Sequence, residues 1–318
     1  MIVTLTANPA LDRTITLDAR LRPGEVQTST SVREDAGGKG VNVARVVAAA
    51  GGEALAVLPV GPDDPYDAVL QACDIPTRTV PVTPLVRVNV AITDPEGITT
   101  KINQPGATLS AGDAAALTAA VVDACDGAEW LVLAGSLPLG ISKAFYVDVI
   151  EAVRARWGAG APRIAVDTSG SALAEVVASG AADLIKPNDE ELAELAGTDF
   201  DGDDLDTASL VAAVQTIARR IVPDRVAAAL VTLGGTGAVL VTADGAWFAE
   251  APRIRVASTV GAGDSSLAGY LLAERAGADP EERLRSAIRH GAAAASLPGT
   301  QTPAPTDLGT GDIAVRSL

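Results

Sequence analysis

The sequence predicts an α/β protein with a mostly parallel central sheet, helices on both of its faces and a small antiparallel sheet beside it. Short runs rich in β-branched residues alternate with alanine-rich stretches of helical character along the 318-residue chain. Several of these runs are apolar throughout, as expected for strands that are covered on both faces. Such alternation is typical of parallel sheets whose strands are connected by helices.

Seven short runs are predicted as strands of the main sheet. They are Ile2–Ala7, Leu55–Val60, Trp130–Ala134, Arg163–Asp167, Asp183–Lys186, Ala229–Leu233 and Ala238–Thr242. Seven stretches between them carry the periodicity of helices. They are Lys39–Ala50, Ala111–Cys125, Lys143–Arg156, Asp189–Ala196, Thr207–Ile221, Asp264–Ala276 and Glu281–Ser296. No repeat, low-complexity tract or linker interrupts the chain, so we expect one domain over residues 1–318, with lid strands at about 13–33 and 87–103.

Two regions alternate apolar and polar residues with no helix inside them. The first contains Arg13–Leu17 and Val26–Arg33, and the second contains Arg87–Thr93 and Ile98–Asn103, joined by the turn-forming segment Asp94–Gly97. We interpret these four strands as a small antiparallel sheet that projects from the main sheet; ordinary edge hairpins are the alternative. Because its apolar face must cover something, we expect a lid over a substrate cleft or a contact with a second subunit.

Composition limits the partners of this protein. With 24 basic and 40 acidic residues its formal net charge is −16, which argues against nucleic acid or an anionic membrane as the main partner. Cys73 and Cys125 match no metal-binding spacing, and their small number fits a reduced cytoplasmic setting. The chain enters a strand pattern at once and contains no apolar run of membrane-spanning length, so we expect neither export nor membrane insertion.

The strongest chemical signal is the segment Thr259–Ser266. Gly261 and Gly263 flank Ala262, which allows a tight turn with free backbone N–H groups. The helix that follows directs the positive end of its dipole to the same place, which favours a phosphate or a developing anion. Asp264 would there take a proton from an attacking hydroxyl. An ordinary loop before a helix with an acidic first turn is the alternative.

Other familiar motifs are excluded. In Gly37–Gly40 the lysine is followed by glycine and lacks the spacing of a P-loop. Ser266 stands where a dinucleotide fingerprint would have its third glycine, which disfavours a nicotinamide-dependent oxidoreductase. The only histidine, His290, lies inside a helical pattern. Histidine-dependent hydrolase triads and histidine-rich zinc sites are therefore excluded.

Six segments follow one another in the order of a known family. They are Asn8–Asp12, Gly37–Ala44, Gly135–Pro138, Lys186–Glu191, Thr232–Gly234 and Gly261–Asp264. On these segments the chain resembles the ribokinase-like carbohydrate kinases of the phosphofructokinase B family over nearly its full length. The first and third segments look like the branch of 1-phosphofructokinase and tagatose-6-phosphate kinase, which acts on phosphorylated ketohexoses. The resemblance implies the family's three-layer sandwich fold with a β lid.

The resemblance implies roles for the residues of the last segment and of the nucleotide side. Asp264 would be the base, and the amides of Gly261, Ala262 and Gly263 would stabilise the transferred phosphoryl group. Asn188 and Glu191 would order Mg²⁺ through water, although a helix cap with an acidic first turn explains them equally well. The residues implied in nucleotide binding are Lys186, Asn188, Thr232, Gly234, Gly235, Gly237 and Gly263; a glycine-rich hairpin is a compatible alternative for the last strand pair. Residues Gly291–Thr300 would flank the adenine.

On the sugar side, the resemblance assigns hydrogen bonds with hydroxyls to Asp12 and Asn42, and close backbone approach to Gly37 and Gly38. The further acceptor-binding candidates are Lys39, Arg87, Asn89, Lys101 and Ser136; for each, a solvated polar residue is the alternative. The chain departs from the family after Gly24-Glu25-Val26, where a basic residue is often found. Arg33, Arg87 or a residue of a second subunit would have to compensate, since a sugar phosphate needs cationic partners.

The implied activity is ATP- and Mg²⁺-dependent phosphorylation of a sugar phosphate, with fructose 1-phosphate as the favoured acceptor and fructose 1,6-bisphosphate as the product. Tagatose 6-phosphate, fructose 6-phosphate and an unphosphorylated sugar are alternative acceptors. A sensor that binds nucleotide or sugar phosphate without turnover is the alternative of another class. We also expect a homodimer formed through the lid sheet.

Overall fold

The computed structural model describes residues 1–198 and 205–318. Its strands are β1 (Ile2–Thr6), β2 (Ala10–Leu17), β3 (Ser29–Gly37), β4 (Ala54–Val60), β5 (Thr77–Pro81), β6 (Arg87–Thr93), β7 (Thr99–Asn103), β8 (Trp130–Ala134), β9 (Arg163–Asp167), β10 (Leu184–Ile185), β11 (Ala228–Thr232), β12 (Gly237–Thr242), β13 (Ala246–Glu250) and β14 (Val315–Ser317). Its helices are α1 (Lys39–Ala49), α2 (Pro65–Gln71), α3 (Ala111–Ala124), α4 (Phe145–Trp157), α5 (Gly170–Ser179), α6 (Asp189–Ala196), α7 (Thr207–Ala218), α8 (Ala262–Arg275) and α9 (Pro280–Ala295).

The main sheet has the strand order β14-β13-β12-β11-β10-β9-β8-β1-β4-β5. Every neighbouring pair from β5 to β11 is parallel, and the last three pairs are antiparallel. All seven predicted strands are present, which confirms the mostly parallel sheet. The carboxyl ends of the parallel strands therefore meet at one edge, where open α/β sheets bind their ligands.

Alternate residues of the central strands enter two separate hydrophobic cores. In β8, Leu131 and Leu133 pack into the core that contains α3, α4 and α7, whereas Val132 packs into the core that contains α1, α8 and α9. Each of these side chains is fully buried. Since side chains of a strand point alternately to opposite faces, the sheet is covered on both sides. The structure thus has the three layers that the sequence predicts.

The elements that the sequence analysis did not predict are α2, α5, β5, β13 and β14. Two of them lie at the margins of the main sheet, where β5 and β14 form its edges. The helix α2 carries a capping signal, because the side chain of Asp64 accepts a hydrogen bond from the backbone N–H of Tyr66 and Pro65 occupies the first turn.

The small sheet has the order β3-β2-β6-β7. Its two hairpins are antiparallel as predicted, but they are joined by parallel pairing of β2 with β6, so the sheet is mixed. The reason is directional: β2 follows the carboxyl end of β1, and β6 follows that of β5, so both strands leave the main sheet in the same direction. The first hairpin also begins at Ala10, and its second strand is Ser29–Gly37 instead of Val26–Arg33.

The two faces of the small sheet differ in polarity. Asp12, Thr14 and Asn89 line a cavity beneath the sheet. The alternate positions form the outer face, which includes Ile15, Val32, Ile92 and Ile102. Val32 is 55% exposed and Ile102 is 57% exposed. The outer face is therefore an accessible apolar surface. Among the described residues, no helix combines the length and apolar character that crossing a bilayer requires.

Candidate active site

The start of α8 is opened by Gly261. This residue has φ 78°, in the left-handed region that glycine adopts without strain, and its carbonyl accepts the first helical hydrogen bond, from the N–H of Ser265 at 2.9 Å. Within the described part of the chain, the N–H groups of Gly263 and Asp264 have no protein acceptor. A Cβ atom on Gly263 would lie 3.2 Å from the Nζ of Lys186. Free amides and an ammonium group thus meet at the positive end of a helix, an arrangement suited to an anion.

Asp264 lies in the first turn of α8 and is only 6% exposed. Its Oδ2 accepts a hydrogen bond from Nδ2 of Asn42 at 2.8 Å. Burial, together with the negative charge of Asp167, raises the pKa of Asp264 to about 6, although Lys39 and Lys186 act in the opposite direction. Asp264 is therefore a stronger base than an exposed aspartate while it still ionises near neutral pH.

Two lysines are held by one carboxylate that the sequence analysis missed. Asp167, the last residue of β9, is fully buried, and its Oδ1 and Oδ2 lie 2.6 Å from Nζ of Lys39 and 3.1 Å from Nζ of Lys186. Burial alone would raise the pKa of Asp167, but the two ammonium groups outweigh burial and hold this pKa below its usual value. The same carboxylate raises the pKa of Lys39. One feature of the sequence could have indicated Asp167: it is the last residue of a predicted strand, β9. The neighbouring strand, β10, ends just before Lys186.

Asp12 is the centre of the predicted sugar side. Its Oδ1 accepts a hydrogen bond from Nδ2 of Asn89 at 3.0 Å, and burial raises its pKa. A Cβ atom on Gly37 would overlap with the Asp12 carboxylate, so any larger residue there would displace that carboxylate. Arg87 donates from Nη1 to the carbonyl of Gln104 at 3.0 Å, which fixes its guanidinium beside Asp12. The buried Oδ1 of Asn89 and Nε of Arg87 have no partner within the described residues, which leaves both available to a ligand.

A cavity of about 360 Å³ brings most of the predicted residues together. It is lined by Ala10, Asp12, Gly38, Lys39, Asn42, Arg87, Asn89, Lys186, Asn188, Glu191, Thr232, Thr259, Val260, Gly261, Gly263 and Asp264. Three predicted acceptor residues lie outside its lining. Gly37 lies behind Asp12, Lys101 lines the adjoining cavity beneath the small sheet, and Ser136 accepts a hydrogen bond from Nδ2 of Asn8 at 3.2 Å.

Asn188 and Glu191 form a reciprocal cap at the start of α6. The N–H of Glu191 donates to Oδ1 of Asn188 at 2.6 Å, and the N–H of Asn188 donates to Oε2 of Glu191 at 2.9 Å. The capping alternative is therefore correct as local structure. It leaves Oε1 of Glu191 without a hydrogen bond from the described residues. One carboxylate oxygen at the cavity wall fits Mg²⁺, which keeps several waters; the described residues contain no cluster of three or more acidic, histidine or cysteine ligands.

A second groove of about 410 Å³ continues from the first past Thr232 and Gly263. The predicted nucleotide residues Gly234, Gly235 and Gly237 line it at the β11–β12 hairpin, so the hairpin and the groove coexist. Its remaining wall is mostly apolar and contains Ile254, Val256, Ile288, Gly291, Ala292 and Ala295. The last three belong to the segment expected to flank adenine, whereas the first three were not predicted.

Arg33 does not reach either cavity lining. Its Nε donates to Oδ2 of Asp35 at 2.8 Å, and its Nη2 donates to the carbonyl of Pro298 at 3.2 Å. The guanidinium thus fastens the small sheet to the segment that follows α9. Of the cationic candidates for acceptor binding, Lys39 and Arg87 line the first cavity, and Lys101 lines the cavity beneath the small sheet.

Comparison with known proteins identifies the family of this chain. Residues 6–307 match the pfkB family of carbohydrate kinases. The chain is 34% identical over 277 residues to a 1-phosphofructokinase of Xanthomonas campestris, covering 85% of this chain and 83% of the relative. It is 32% identical over 305 residues to the ATP-dependent 6-phosphofructokinase isozyme 2 of Escherichia coli, covering 94% of each.

Solved structures confirm the ribokinase-like fold. Phosphofructokinase-2 from Escherichia coli in complex with fructose-6-phosphate superposes with a TM-score of 0.83 at 28% identity, covering 96% of each chain. Ribokinase from Thermotoga maritima superposes with a TM-score of 0.72 at 20% identity, covering 97% of each chain, and supports the fold alone.

The burial of Asp264 predicts a stability effect. Its folded pKa of about 6 lies above the unfolded value, so the protonated form is favoured and stability is lost as pH rises through 6. The free energy of unfolding of the neutral variant Asp264→Asn should therefore be about 1–3 kcal/mol higher than that of wild type at pH 8. This difference should vanish near pH 4. Urea unfolding at both pH values measures this, with the exposed Asp123→Asn as control. Equal stability of Asp264→Asn and wild type at pH 8 would contradict the raised pKa.

Proposed function

Because this chain belongs to the pfkB family of carbohydrate kinases, we propose that it transfers the γ-phosphate of ATP to a hydroxyl of a phosphorylated ketohexose. Fructose 1-phosphate is the favoured acceptor, and fructose 1,6-bisphosphate is the product. The observation that carries the proposal is the position of Asp264. Its buried carboxylate lies in one cavity with Lys39, Lys186 and the glycine-opened start of α8, between the acceptor side and the nucleotide groove.

In this proposal Asp264 is the general base. The acceptor hydroxyl gives its proton to the carboxylate as its oxygen forms a bond to the γ-phosphorus and the bond to the β,γ-bridging oxygen of ATP breaks, leaving ADP. A pKa of about 6 makes Asp264 only a moderate base for an alcohol. Phosphoryl transfer needs little proton abstraction before the transition state, because that state is loose and its catalysis is mostly positioning and charge stabilisation. Asn42 orients the carboxylate through its hydrogen bond.

The charge of the moving phosphoryl group is balanced by groups of this chain. The N–H groups of Gly263 and Asp264 would donate to its oxygens, and Lys39 and Lys186 would neutralise part of its charge. Preorganised donors of this kind require no rearrangement at the moment of reaction. The net charge of −16 makes such local cations necessary, because the overall field of the protein repels anionic substrates.

The nucleotide would lie in the groove beside the β11–β12 hairpin, with its base against the apolar wall and its phosphates directed to Gly263. Glu191, through Oε1, and Asn188 would hold Mg²⁺ by way of water molecules. The metal ion when bound supplies positive charge to the β- and γ-phosphate oxygens. Their capping bonds keep both side chains in place whether or not the ion is present.

Arg87 and Lys101 would bind the phosphate already present on the acceptor. Both lie on the small sheet, and both line cavities that meet at Asp12 and Asn89. These two cations would replace the basic residue that is missing after Gly24-Glu25-Val26. Relatives named 1-phosphofructokinase and 6-phosphofructokinase isozyme 2 both match nearly the whole chain, so the acceptors to be compared carry the phosphate at position 1 or at position 6.

Acceptor choice and the identity of the base are tested by ADP release from MgATP. The acceptors are fructose 1-phosphate, fructose 6-phosphate, tagatose 6-phosphate and fructose. We expect the highest kcat/KM with fructose 1-phosphate and a loss of about 10²–10⁴-fold in kcat for Asp264→Asn. Calorimetric titration with MgATP should give the variant unimpaired nucleotide binding, and Asp123→Asn is the matched control for loss of one negative charge.

Each other result has a defined meaning. If kcat/KM is highest with fructose 6-phosphate or tagatose 6-phosphate, that compound is the acceptor, and the proposed phosphoryl transfer from ATP still stands. ATP binding without turnover of any acceptor would favour a sensor, an alternative that the presence of Asp264 and of Asn188 with Glu191 argues against. Full activity of Asp264→Asn would contradict the mechanism.

The outer face of the small sheet supports a homodimer. Its exposed apolar residues, among them Val32 and Ile102, would be buried by the same face of a second copy. The unpaired cysteines Cys73 and Cys125 support a reducing location, in keeping with a cytoplasmic enzyme.

The dimer is tested by placing a charge on that face. Ile102→Glu should convert the dimer into a monomer, because an isolated carboxylate cannot be buried in an apolar contact without a large cost. Sedimentation equilibrium at micromolar concentration measures the mass. Leu139→Glu is the control, since Leu139 is 52% exposed but lies outside the sheet. A wild-type mass of one chain, or an unchanged dimer in Ile102→Glu, would contradict this interface.

A further inference from the structure

Asp167 is an ionisable residue close to the cavity, and the proposed function gives Asp167 no role. It belongs to none of the sequence segments that resemble the family, and it is not among the residues that line the cavity. Yet it is 1% exposed and contacts two ammonium groups at once, at 2.6 Å and 3.1 Å. Burying a charged carboxylate so completely costs free energy unless opposite charges contact it. The two ammonium groups provide that contact and keep the Asp167 carboxylate in its position.

The two lysines reach the cavity from different elements of the fold. Lys39 is the first residue of α1, which also carries Asn42, whereas Lys186 follows β10 and lies against Gly263. Lysine side chains have four flexible bonds, and an unpaired ammonium group has no preferred position. Contact with the shared carboxylate of Asp167 fixes each ammonium group in a defined position beside the start of α8.

We propose that Asp167 is a positioning residue: by binding Lys39 and Lys186 together, it places their ammonium groups on the path of the transferred phosphoryl group. This inference rests on the proposed kinase function and deepens it. Asp167 itself does not touch substrate. Its backbone also supports the arrangement, because its carbonyl accepts a hydrogen bond from the N–H of Gly135 at 2.9 Å.

The proposal separates binding from turnover. In Asp167→Asn the side chain keeps its shape but loses its charge, so the two lysines remain positive and lose their anchor. Anion binding is then not weakened, because a negative charge has been removed from the cavity region. Turnover falls, because the ammonium groups no longer occupy fixed positions when charge develops. A residue that only stabilises the fold would instead lower binding and turnover together.

The first measurement is kinetic. We expect Asp167→Asn to lower kcat by about 10²-fold while the KM for MgATP stays within about threefold of wild type. The acidic limb of the rate profile should also move to lower pH by about one unit. That limb reports the ionisation of Asp264. The groups that face Asp264 are Lys39 and the neutral Asn42 from α1, Asp167 from β9 and Lys186 after β10. The matched control is Asp123→Asn.

The second measurement needs no activity. The protein has four lysines, Lys39, Lys101, Lys143 and Lys186. In a spectrum of the ¹⁵Nζ-labelled protein, ammonium groups that are paired and shielded exchange slowly with water and give signals. We expect signals from Lys39 and Lys186, assigned with Lys39→Met and Lys186→Met, and their loss in Asp167→Asn with the overall fold unchanged by circular dichroism.

The two measurements distinguish the possible failures. Persistence of both ammonium signals in Asp167→Asn, or a kcat within threefold of wild type in an enzyme that turns over, would overturn the positioning role. Loss of both signals in a protein that phosphorylates no acceptor would support the anchoring of the lysines but overturn its part in phosphoryl transfer, together with the proposed function. A rise in KM equal to the fall in kcat would assign Asp167 to structure alone.

Discussion

A carboxylate buried as deeply as that of Asp264 needs compensation, and groups from two other elements provide it. Asn42 and Lys39 come from α1, and Lys186 comes from the segment after β10, whereas Asp167 of β9 binds the two lysines and opposes the charge of Asp264. These elements meet because the carboxyl ends of the parallel strands share one edge of the sheet. Two negative and two positive side chains then lie within one small region, so a change in the charge of Asp167, Lys39 or Lys186 alters the pKa of Asp264.

In the proposed mechanism, the architecture would bring acceptor and nucleotide together at this carboxylate. The small sheet covers the cavity from one side with Asp12, Asn89 and Arg87, and the β11–β12 hairpin borders the groove on the other side. The start of α8 lies between them and is common to both. A hydroxyl and a phosphate approaching from the two sides would therefore come together at the free amides of Gly263 and Asp264.

Much of this site could be predicted from local sequence, because the helix starts carry their own signals. Gly261–Asp264 and the cap of Asn188 with Glu191 are examples. Asp167 could not be predicted in the same way, because its role depends on contacts with Lys39 and Lys186. Lys39 lies 128 residues earlier in the chain, and Lys186 follows a neighbouring strand. The parallel pairing of β2 with β6 and the edge strands β5 and β14 likewise depend on tertiary contacts, as does the engagement of Arg33 with Pro298.

The central claim, that Asp264 accepts the proton of the attacking hydroxyl, is tested most directly by a crystal structure with fructose 1-phosphate, Mg²⁺ and a non-hydrolysable ATP analogue. The account predicts the 6-hydroxyl within about 2.6–3.2 Å of the Asp264 carboxylate and in line with the γ-phosphorus. It also predicts the γ-phosphate oxygens beside the N–H groups of Gly263 and Asp264. An acceptor hydroxyl directed to Asp12, with Asp264 remote from both ligands, would contradict it.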